Sequence, residues 1–291
     1  MSDKPVLIID ALNLFSRHYV RNPAMSTHGH QAGGIVGFLS SLSYIVSLVQ
    51  PESVMVIWEG GGSSRRRALF AGYKEGRKPP KLNRYYETDI PDSKENRIQQ
   101  IRFLVDVLKH VPVMQLFVED CEADDVIGYL CRNKLRDSKK FIASSDRDFY
   151  QLLDSKTTIY SLGSKRFIGP DEVKEQFSIS PTNFVLAKAV CGDPSDGIPG
   201  VKGAGFKTIA KRFDLSSDTL LTVNELLEAC QLRDSKSPKI YSQIYESADL
   251  IKRNWRLMYL DVSNLAAVQV RKIDAAIESF KPNKNSTDRR N

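Results

Sequence analysis

Near its start the chain reads Pro5-Val6-Leu7-Ile8-Ile9-Asp10, an apolar run that ends at an acid. An uninterrupted run of aliphatic residues of this length predicts a fully buried strand. Apolar runs recur at 53–58, 111–118 and 140–144, and acidic residues follow each of them closely. Helical patterns lie between these runs, at 34–49, at 93–109 and from Ala123 onward. This alternation predicts an α/β fold in which helices cover both faces of a parallel sheet.

Beyond residue 168 the apolar spacing becomes helical and contains no convincing strand. We therefore predict a sheet domain at 1–168 and a helical region at 169–280 that packs on the sheet. The last segment, 281–291, is polar, and we expect it to be disordered.

The positive charge of the chain is concentrated in one segment. The 291 residues include 42 basic and 35 acidic side chains, which gives a formal net charge of +7. Eight basic residues and one acid stand between residues 61 and 86, so this basic segment accounts for the whole excess. A local basic patch favours a polyanionic partner such as nucleic acid.

Several features argue against secreted and membrane-bound classes. The four cysteines form no CxxC pair, which disfavours a disulfide scaffold or a structural zinc site. The N-terminus lacks the apolar core of a signal peptide. The uncharged run at 31–51 carries serines on one face, which is typical of an amphipathic core helix rather than a membrane span. We therefore expect a soluble, cytoplasmic protein without membrane contact.

Acidic residues follow all four predicted strands. They are Asp10, Glu59, Glu122, Asp124, Asp125, Asp146 and Asp148. The carboxyl ends of parallel strands share one edge of a sheet, so these carboxylates are expected to meet there. Like charges at close range repel, and oxygen-rich sites relieve the repulsion by binding Mg²⁺, with Mn²⁺ as a substitute. Any single acid could be an ordinary turn residue or helix cap, but the whole set favours a metal site.

A glycine-rich turn stands in the helical half. It reads Gly200-Val201-Lys202-Gly203-Ala204-Gly205 and precedes a predicted helix at 205–213. Glycines let a backbone approach a ligand closely, and the free amides of a helix start can bind a phosphate oxygen. The alternative is a simple corner between two helices. The spacing fits neither a Walker A loop nor a dinucleotide-binding fingerprint.

Five segments, in this order, resemble the 5′-nuclease superfamily of flap endonucleases and 5′–3′ exonucleases, most closely its stand-alone phage-type members. They are 9–13, Arg66 with 73–77, 122–125, 145–148, and 192–196 leading into the glycine hairpin. The resemblance implies a PIN-like nuclease core at 1–168 with a basic helical arch at about 60–103. It also implies a helix–three-turn–helix module at about 185–215 that binds duplex DNA.

The resemblance further implies two divalent ions. The ligands of the first would be Glu122 and Asp124, with Asp10 and Glu59 acting through water. The ligands of the second would be Asp124, Asp146 and Asp148, and more remotely Asp193 and Asp196. Asp125 would lie in the outer shell. The family usually has aspartate where this chain has Glu59, and the longer side chain can still reach an ion through water.

Residue roles follow by the same resemblance. Asp124 and Asp146 would be catalytic, while Lys74 and Arg77 would contact the scissile phosphate. Tyr73 would stack on a base, and Arg66 would also contact DNA. The hairpin contacts to DNA would be Gly200, Lys202, Gly203, Gly205, Lys207 and Thr208, with K⁺ as a further ligand of the hairpin.

The implied activity is a metal-dependent 5′ nuclease that cleaves DNA at 5′ flaps and 5′ ends during replication and primer removal. Its partner would be branched or nicked duplex DNA with a 5′ single-stranded arm. We expect a monomer that acts in the cytoplasm, that of the host if a phage encodes it, with replication proteins as partners in trans. Two alternatives remain open, a PIN-type ribonuclease and a non-catalytic protein that binds branched DNA.

Overall fold

One six-stranded sheet organises the N-terminal half of the protein. The computed structural model describes residues 4–75, 94–233 and 236–281. The strands are β1 (Val6–Asp10), β2 (Ser53–Trp58), β3 (Met114–Phe117), β4 (Lys140–Ala143), β5 (Thr157–Ser161) and β6 (Arg166–Ile168). Their order is β3-β2-β1-β4-β5-β6, with β1 to β5 parallel and β6 antiparallel to β5. The predicted parallel α/β sheet is confirmed.

Helices connect the strands and form the rest of the described chain. Those in the sheet region are α1 (Ala11–Arg21), α2 (Gly33–Val49), α3 (Ser64–Leu69), α4 (Lys94–Leu108) and α5 (Ala123–Tyr129), which continues as a π turn (Leu130–Lys134). Those that follow are α6 (Pro170–Phe177), α7 (Pro181–Cys191), α8 (Phe206–Arg212), α9 (Val223–Gln231), α10 (Ile240–Glu246), α11 (Ala248–Met258) and α12 (Ala267–Ser279). Short 3₁₀ turns lie at Arg147–Leu152, Pro194–Asp196 and Val262–Asn264.

Two strand predictions need correction. The third strand was predicted at 111–118 but covers only Met114–Phe117, because backbone turns occupy 109–113 after α4 ends. Strands β5 and β6 were not predicted at all. They are short, and polar residues flank them, so their apolar pattern is weak. They are defined by backbone pairing at the edge of the sheet, where β6 pairs with β5 and Phe167 lies opposite Tyr160.

Both faces of the sheet are buried, as a parallel sheet requires. On one face Ile8, Met55 and Ile57 pack in the same apolar cluster as residues of α5, α7 and α11. On the other face Ile9 and Val56 pack in a second cluster with α1, α2 and α4. Helix α2 is therefore a core helix, as its serine face predicted.

Within the described residues, we find no helix with both the length and the apolar character that crossing a membrane requires.

The strand order fixes where a site can form. Strand β1 pairs with β2 on one side and with β4 on the other, so the chain reverses its direction of winding beside β1. Open α/β sheets build their sites at the carboxyl edge next to such a reversal. Here that edge carries the ends of β1, β2 and β4, each of which leads directly or within a few residues into an acid.

The glycine-rich turn packs tightly on the end of α7. A Cβ atom on Gly200 would lie 1.9 Å from the carbonyl oxygen of Cys191, so no larger residue fits there. The buried side chain of Asn254, from α11, donates hydrogen bonds to the carbonyl oxygens of Ala189 at 3.0 Å and Pro199 at 2.7 Å. One asparagine thus joins α7, α11 and the glycine turn.

Replacing Asn254 with alanine should lower the free energy of unfolding by about 1–3 kcal/mol, because two buried carbonyl groups lose their donor. Urea denaturation measures the change. Asn133→Ala, an exposed site on the π turn, is the matched control and should leave stability nearly unchanged. Equal midpoints for the two variants would contradict this role of Asn254.

Candidate metal and nucleic-acid site

A cleft of about 680 Å³ opens at the carboxyl edge of the sheet. Its acidic lining residues are Asp10, Glu59, Asp124, Asp146 and Asp196. They come from different elements, namely the end of β1, the end of β2, the first turn of α5, the start of a 3₁₀ turn after β4, and the 3₁₀ turn before the glycine hairpin. The structure therefore brings together predicted acids that are far apart in sequence.

Asp10 is held in the cleft wall by neutral donors. One oxygen accepts a hydrogen bond from Ser144 Oγ at 2.8 Å, and the other accepts the backbone N–H of Asn13 at 3.2 Å. Burial raises the pKa of Asp10 to about 7, and the nearby charges of Asp146 and Glu59 add to the rise. Burial, with Asp146 and Asp10 as neighbours, also raises the pKa of Asp124 well above its ordinary value.

A second acidic group adjoins the cleft. Asp148, Asp193 and Asp196 each place a carboxylate oxygen within 4.8 Å of the others. Lys188, from α7, donates to Asp148 and, at 2.6 Å, to Asp193. Burial raises the pKa of Asp148 to about 6 although Lys188 opposes the rise. Two of the acids predicted for the second metal are therefore paired with an ammonium group of the protein itself.

Lys188 is a site residue that the sequence did not reveal. Lys188 is the single charged residue of the mostly apolar helix α7. The available signal in the sequence was Asp193, an acid five residues further along the chain. Three arginines of the cleft were also not predicted from the sequence. Arg17 and Arg21 of α1 and Arg97 of α4 line the acidic cleft, and Arg97 Nη2 lies 3.4 Å from Ser16 Oγ.

Glu122 and Asp125 are buried and already bound by other side chains. Glu122 Oε2 accepts the hydroxyl of Tyr73 at 2.8 Å and lies 2.8 Å from Lys74 Nζ. Asp125 forms a two-pronged ion pair with Arg66 and accepts an amide hydrogen bond from Asn264 at 3.1 Å. Asp125 is therefore a buried partner of Arg66 and does not line the cleft, and its outer-shell role stays a prediction.

Arg66 does not reach a DNA surface. Its side chain is 2% exposed, its Nε donates to the carbonyl oxygen of Leu257 at 2.8 Å, and its other nitrogens bind Asp125. All three nitrogens of Arg66 are thus engaged within the protein, and the structure gives the predicted DNA contact no support. The ring of Tyr73 is buried and its hydroxyl is bound to Glu122, so the predicted stacking on a base has no support here either.

Lys74 does reach the cleft. Its backbone adopts the left-handed conformation at φ 57°, and its N–H donates to the carbonyl oxygen of Asp196 at 2.9 Å. Burial alone would lower the pKa of Lys74, but Glu122, Asp124 and Asp196 raise it above its ordinary value. Lys74 is therefore a fixed positive charge. Arg77 and most of the predicted arch, 76–93, lie outside the described residues.

The loops that follow β2 and β3 are joined through their backbones. The N–H of Gly60 donates to the carbonyl oxygen of Cys121 at 3.0 Å, and the carbonyl of Gly60 accepts from Asp120 at 2.9 Å. A Cβ atom on Gly60 would lie 1.6 Å from the carbonyl oxygen of Val118, so only glycine fits. Glu59 accepts the N–H of Ala123 at 3.2 Å, which fixes its carboxylate at the start of α5.

The glycine hairpin divides into a packed part and an open part. Gly200 packs against Cys191, where no side chain fits, although the residue itself is partly exposed. Gly203, at φ 81°, and Gly205 are exposed, and a Cβ on either would meet nothing within 4 Å. Lys202 and Lys207 are exposed beside them, and Thr208 is half-buried. This open part leaves room for a phosphate backbone.

The donor chemistry of the cleft fits hard divalent cations. Its lining offers carboxylate oxygens, with no histidine or cysteine among the described lining residues. Two of these acids have strongly raised pKa values because ionised carboxylates are costly to bury together. A divalent ion would remove that cost, and oxygen ligands of this kind suit Mg²⁺ or Mn²⁺.

Replacing Arg66 with methionine should lower the free energy of unfolding by about 3–5 kcal/mol, because Asp125 becomes an unpaired buried charge. Thermal or urea denaturation measures the loss. The control is the neighbouring Arg67→Met, whose side chain is 54% exposed and which should change stability by less than about 1 kcal/mol. A stable Arg66→Met variant with weakened DNA binding would restore the DNA-contact assignment.

The metal-free protein should lose stability as pH rises. The pKa of Asp10 is about 7 in the folded state against an ordinary value of 3.8, and that of Asp148 is about 6. Between pH 4 and 7 the folded state thus holds protons that the unfolded state has released, so the free energy of unfolding falls with rising pH. We expect a drop in Tm of at least about 2 °C from pH 5.5 to pH 8 in EDTA.

Two further measurements check this origin of the pH dependence. Ca²⁺ should raise Tm more at pH 8 than at pH 5.5, since it binds the ionised carboxylates. Asp10→Asn should flatten the dependence in EDTA, because the amide carries no charge at either pH. A metal-free protein that gains stability from pH 5.5 to 8 would contradict the assignment.

Comparison with known proteins agrees with this arrangement. The 5′–3′ exonuclease family, through its N-terminal resolvase-like domain, matches residues 5–178. DNA polymerase I of Bacillus subtilis (strain 168) is 28% identical over 234 residues, which make up 77% of this chain and 25% of the polymerase. A 5′–3′ exonuclease of Buchnera aphidicola subsp. Acyrthosiphon pisum (strain APS) is 27% identical over 267 residues, covering 90% of this chain and 89% of the relative.

The chain therefore spans a quarter of that polymerase but nearly nine-tenths of that exonuclease. Among solved structures, a bacteriophage T5 flap endonuclease in a complex with DNA and metal ions superposes with a TM-score of 0.74 at 21% identity. The superposition covers 94% of this chain and 96% of the phage protein, so the two share their fold. Because the family match extends over more than half of its length, the chain belongs to the 5′–3′ exonuclease family.

Proposed function

We propose that the protein is a structure-specific 5′ nuclease that hydrolyses DNA phosphodiesters at 5′ flaps and 5′ ends. The observation that carries the proposal is one cleft that combines acids from three strand ends, α5 and the hairpin turn with the half-buried ammonium of Lys74. Hydrolysis of a phosphodiester is promoted by metal ions, which carboxylates can bind, and by a fixed positive charge near the phosphate. The names of the relatives, 5′–3′ exonuclease and flap endonuclease, support the same activity.

We propose Mg²⁺ as the cofactor, with Mn²⁺ as a substitute. Asp10, Glu59, Glu122 and Asp124 would hold one ion, and Asp124, Asp146, Asp148, Asp193 and Asp196 would hold the other. When bound, the two ions would activate water and offset the charge of the reacting phosphate. The support for the second set is the short separation between the carboxylate oxygens of Asp148, Asp193 and Asp196.

The side chains of the cleft prepare it for cations. Burial and its acidic neighbours raise the pKa of Asp10 to about 7, because they make its ionised form costly. Lys188 pairs with both Asp148 and Asp193 and offsets part of their negative charge. One carboxylate oxygen of Asp146 accepts the N–H of Asp148 at 2.8 Å, which holds these two acids next to each other.

Lys74 is the residue we propose for contact with the scissile phosphate. Its backbone is fixed by Asp196, so its flexible part is the side chain, which pairs with Glu122 at 2.8 Å. A phosphate in the cleft would compete with Glu122 for this ammonium. Arg77 has the same proposed role and lies outside the described residues.

Duplex DNA would bind at the open part of the glycine hairpin. Lys202 and Lys207 would meet phosphates there, with the backbone at Gly203 and Gly205 close to the strand and Thr208 as a further donor. We propose K⁺ as a bridging ion at this turn. The preferred substrate would be branched or nicked duplex DNA with a 5′ single-stranded arm.

The proposed setting is DNA replication and primer removal. The protein would act there as a monomer, in the cytoplasm or, if a phage encodes it, in that of the host, and replication proteins would join it in trans.

A cleavage assay on three substrates tests the function. A 5′-flap DNA, a nicked duplex and a single-stranded RNA are each incubated with Mg²⁺ or with EDTA. The flap and the nicked duplex should be cut only with Mg²⁺. Asp146→Asn should slow cleavage by at least about a hundredfold, or about 2.7 kcal/mol, and should still bind the flap in Ca²⁺. The exposed site Asp106→Asn is the matched control and should retain full activity.

Each alternative has a distinct outcome in the same assay. Preferential cutting of the RNA would favour a PIN-type ribonuclease. Binding of the flap without any cleavage in Mg²⁺ would favour a non-catalytic branched-DNA-binding protein. Full Mg²⁺-dependent activity of Asp146→Asn would contradict the assignment of this acid to the metal site.

A further inference from the structure

A second cavity lies directly beside the acidic cleft. It measures about 280 Å³ and is lined by Leu12, Trp58, Glu59, Arg97, Ile98 and Ile101, which together form the apolar slot. Leu12, Glu59 and Arg97 line both the slot and the acidic cleft. A molecule that places a charged group in the cleft can therefore place an adjoining apolar group in the slot.

The slot is preformed by the packing of α4 on the sheet. The side chain of Gln100, which is 3% exposed, donates to the carbonyl oxygen of Gln31 at 2.9 Å and accepts the N–H of Ile35 at 3.2 Å. These bonds fix α4 against the start of α2. Ile98 and Ile101 thereby stand over Leu12 and the end of β2, and Ile98 keeps 38% of its surface exposed.

The slot suits the apolar face of a ring, and it does not discriminate between the hydrogen-bonding groups at the edge of that ring. The indole N–H of Trp58 is already donated to Gln115 at 2.9 Å, and the Glu59 carboxylate accepts the N–H of Ala123. The apolar lining side chains offer contact area but no hydrogen-bonding pattern. A nucleobase has two apolar faces whatever its identity, so such a slot would accept any base.

Arg97 stands where the slot meets the cleft. Its Nη2 lies 3.4 Å from Ser16 Oγ, while its Nε is buried and has no hydrogen-bond partner among the described residues. If a base lies in the slot and the scissile phosphodiester lies in the cleft, the phosphate between them would lie next to this guanidinium. A nucleotide supplies the apolar ring and the adjoining phosphate in one molecule.

We propose that the apolar slot binds one nucleobase of the cleaved strand, next to the scissile phosphate, and that Arg97 binds the phosphate joined to it. The proposal rests on the nuclease activity proposed above and adds a subsite to it. This subsite holds the strand by one base without sequence preference. It thereby sets which phosphodiester lies over the acids.

An abasic scan tests the slot. Flap substrates carry a single abasic residue at successive positions on both sides of the scissile bond, and cleavage is measured with Mg²⁺. The wild-type protein should lose about tenfold in rate at one position, where the missing base leaves the slot empty. Ile98→Asp should cut the intact flap about tenfold more slowly than the wild type does. An abasic residue at the sensitive position should then reduce the cleavage rate of this variant only slightly.

Phe103→Asp is the matched control, because it adds the same charge to the same helix at a side chain that is 55% exposed and does not line the slot. It should behave as the wild type in the scan. A second measurement is independent of cleavage. A fluorescent 2-aminopurine at the sensitive position should be quenched on binding in Ca²⁺ by the wild type and by Phe103→Asp, and less by Ile98→Asp.

Three results would overturn the slot. In the first, the wild type cuts the flap but its rate does not change at any abasic position. In the second, the abasic residue reduces the cleavage rates of Ile98→Asp and the wild type by the same factor. In the third, all three proteins quench 2-aminopurine equally. In each of them the wild type still cuts the flap, so the nuclease function stands. A wild type that cuts no flap in Mg²⁺ contradicts the nuclease function itself and the slot with it.

Discussion

Carboxylates repel one another at the edge where β1, β2 and β4 end, and the surrounding structure is arranged around this repulsion. Asp10 is the last residue of β1 and stays in register with Ile57 of β2, so it cannot move away without breaking the sheet. Burial excludes the water that would screen the charges. The acids therefore have to be met by protons, by cations of the protein, or by bound metal ions.

Three cations of the protein meet part of this charge, and each comes from a different element. Arg66 of α3 binds Asp125, Lys74 binds Glu122, and Lys188 of α7 binds Asp148 and Asp193. Asp10 is instead held by neutral donors and keeps its raised pKa of about 7. The site thus contains an acid paired with a buried arginine, acids paired with lysines, and acids whose charge is not compensated by a direct ion pair of this kind.

The sequence was a good guide to the sheet and to its acidic edge, because each apolar run leads into an acid and parallel strands share one carboxyl edge. It could not separate metal-facing acids from structural ones. Arg66 and Asp125 are 59 positions apart, and their pairing depends on α3 packing against Leu257 of α11. Such contacts between distant segments leave no local pattern. Lys188 was hidden for the same reason, since Asp148 is 40 positions away.

The contact between the loops after β2 and β3 has a consequence for which acids position 59 can carry. Gly60 touches the backbone at Val118 and Cys121, so main-chain atoms determine the spacing between the two loops and the acids they carry. The side chain at position 59 can then change in length while this spacing is kept. The carboxylate of Glu59 accepts the N–H of Ala123, which sets its position at the start of α5. Because main-chain contacts determine the spacing of the two loops, an aspartate in place of Glu59 would leave the fold intact.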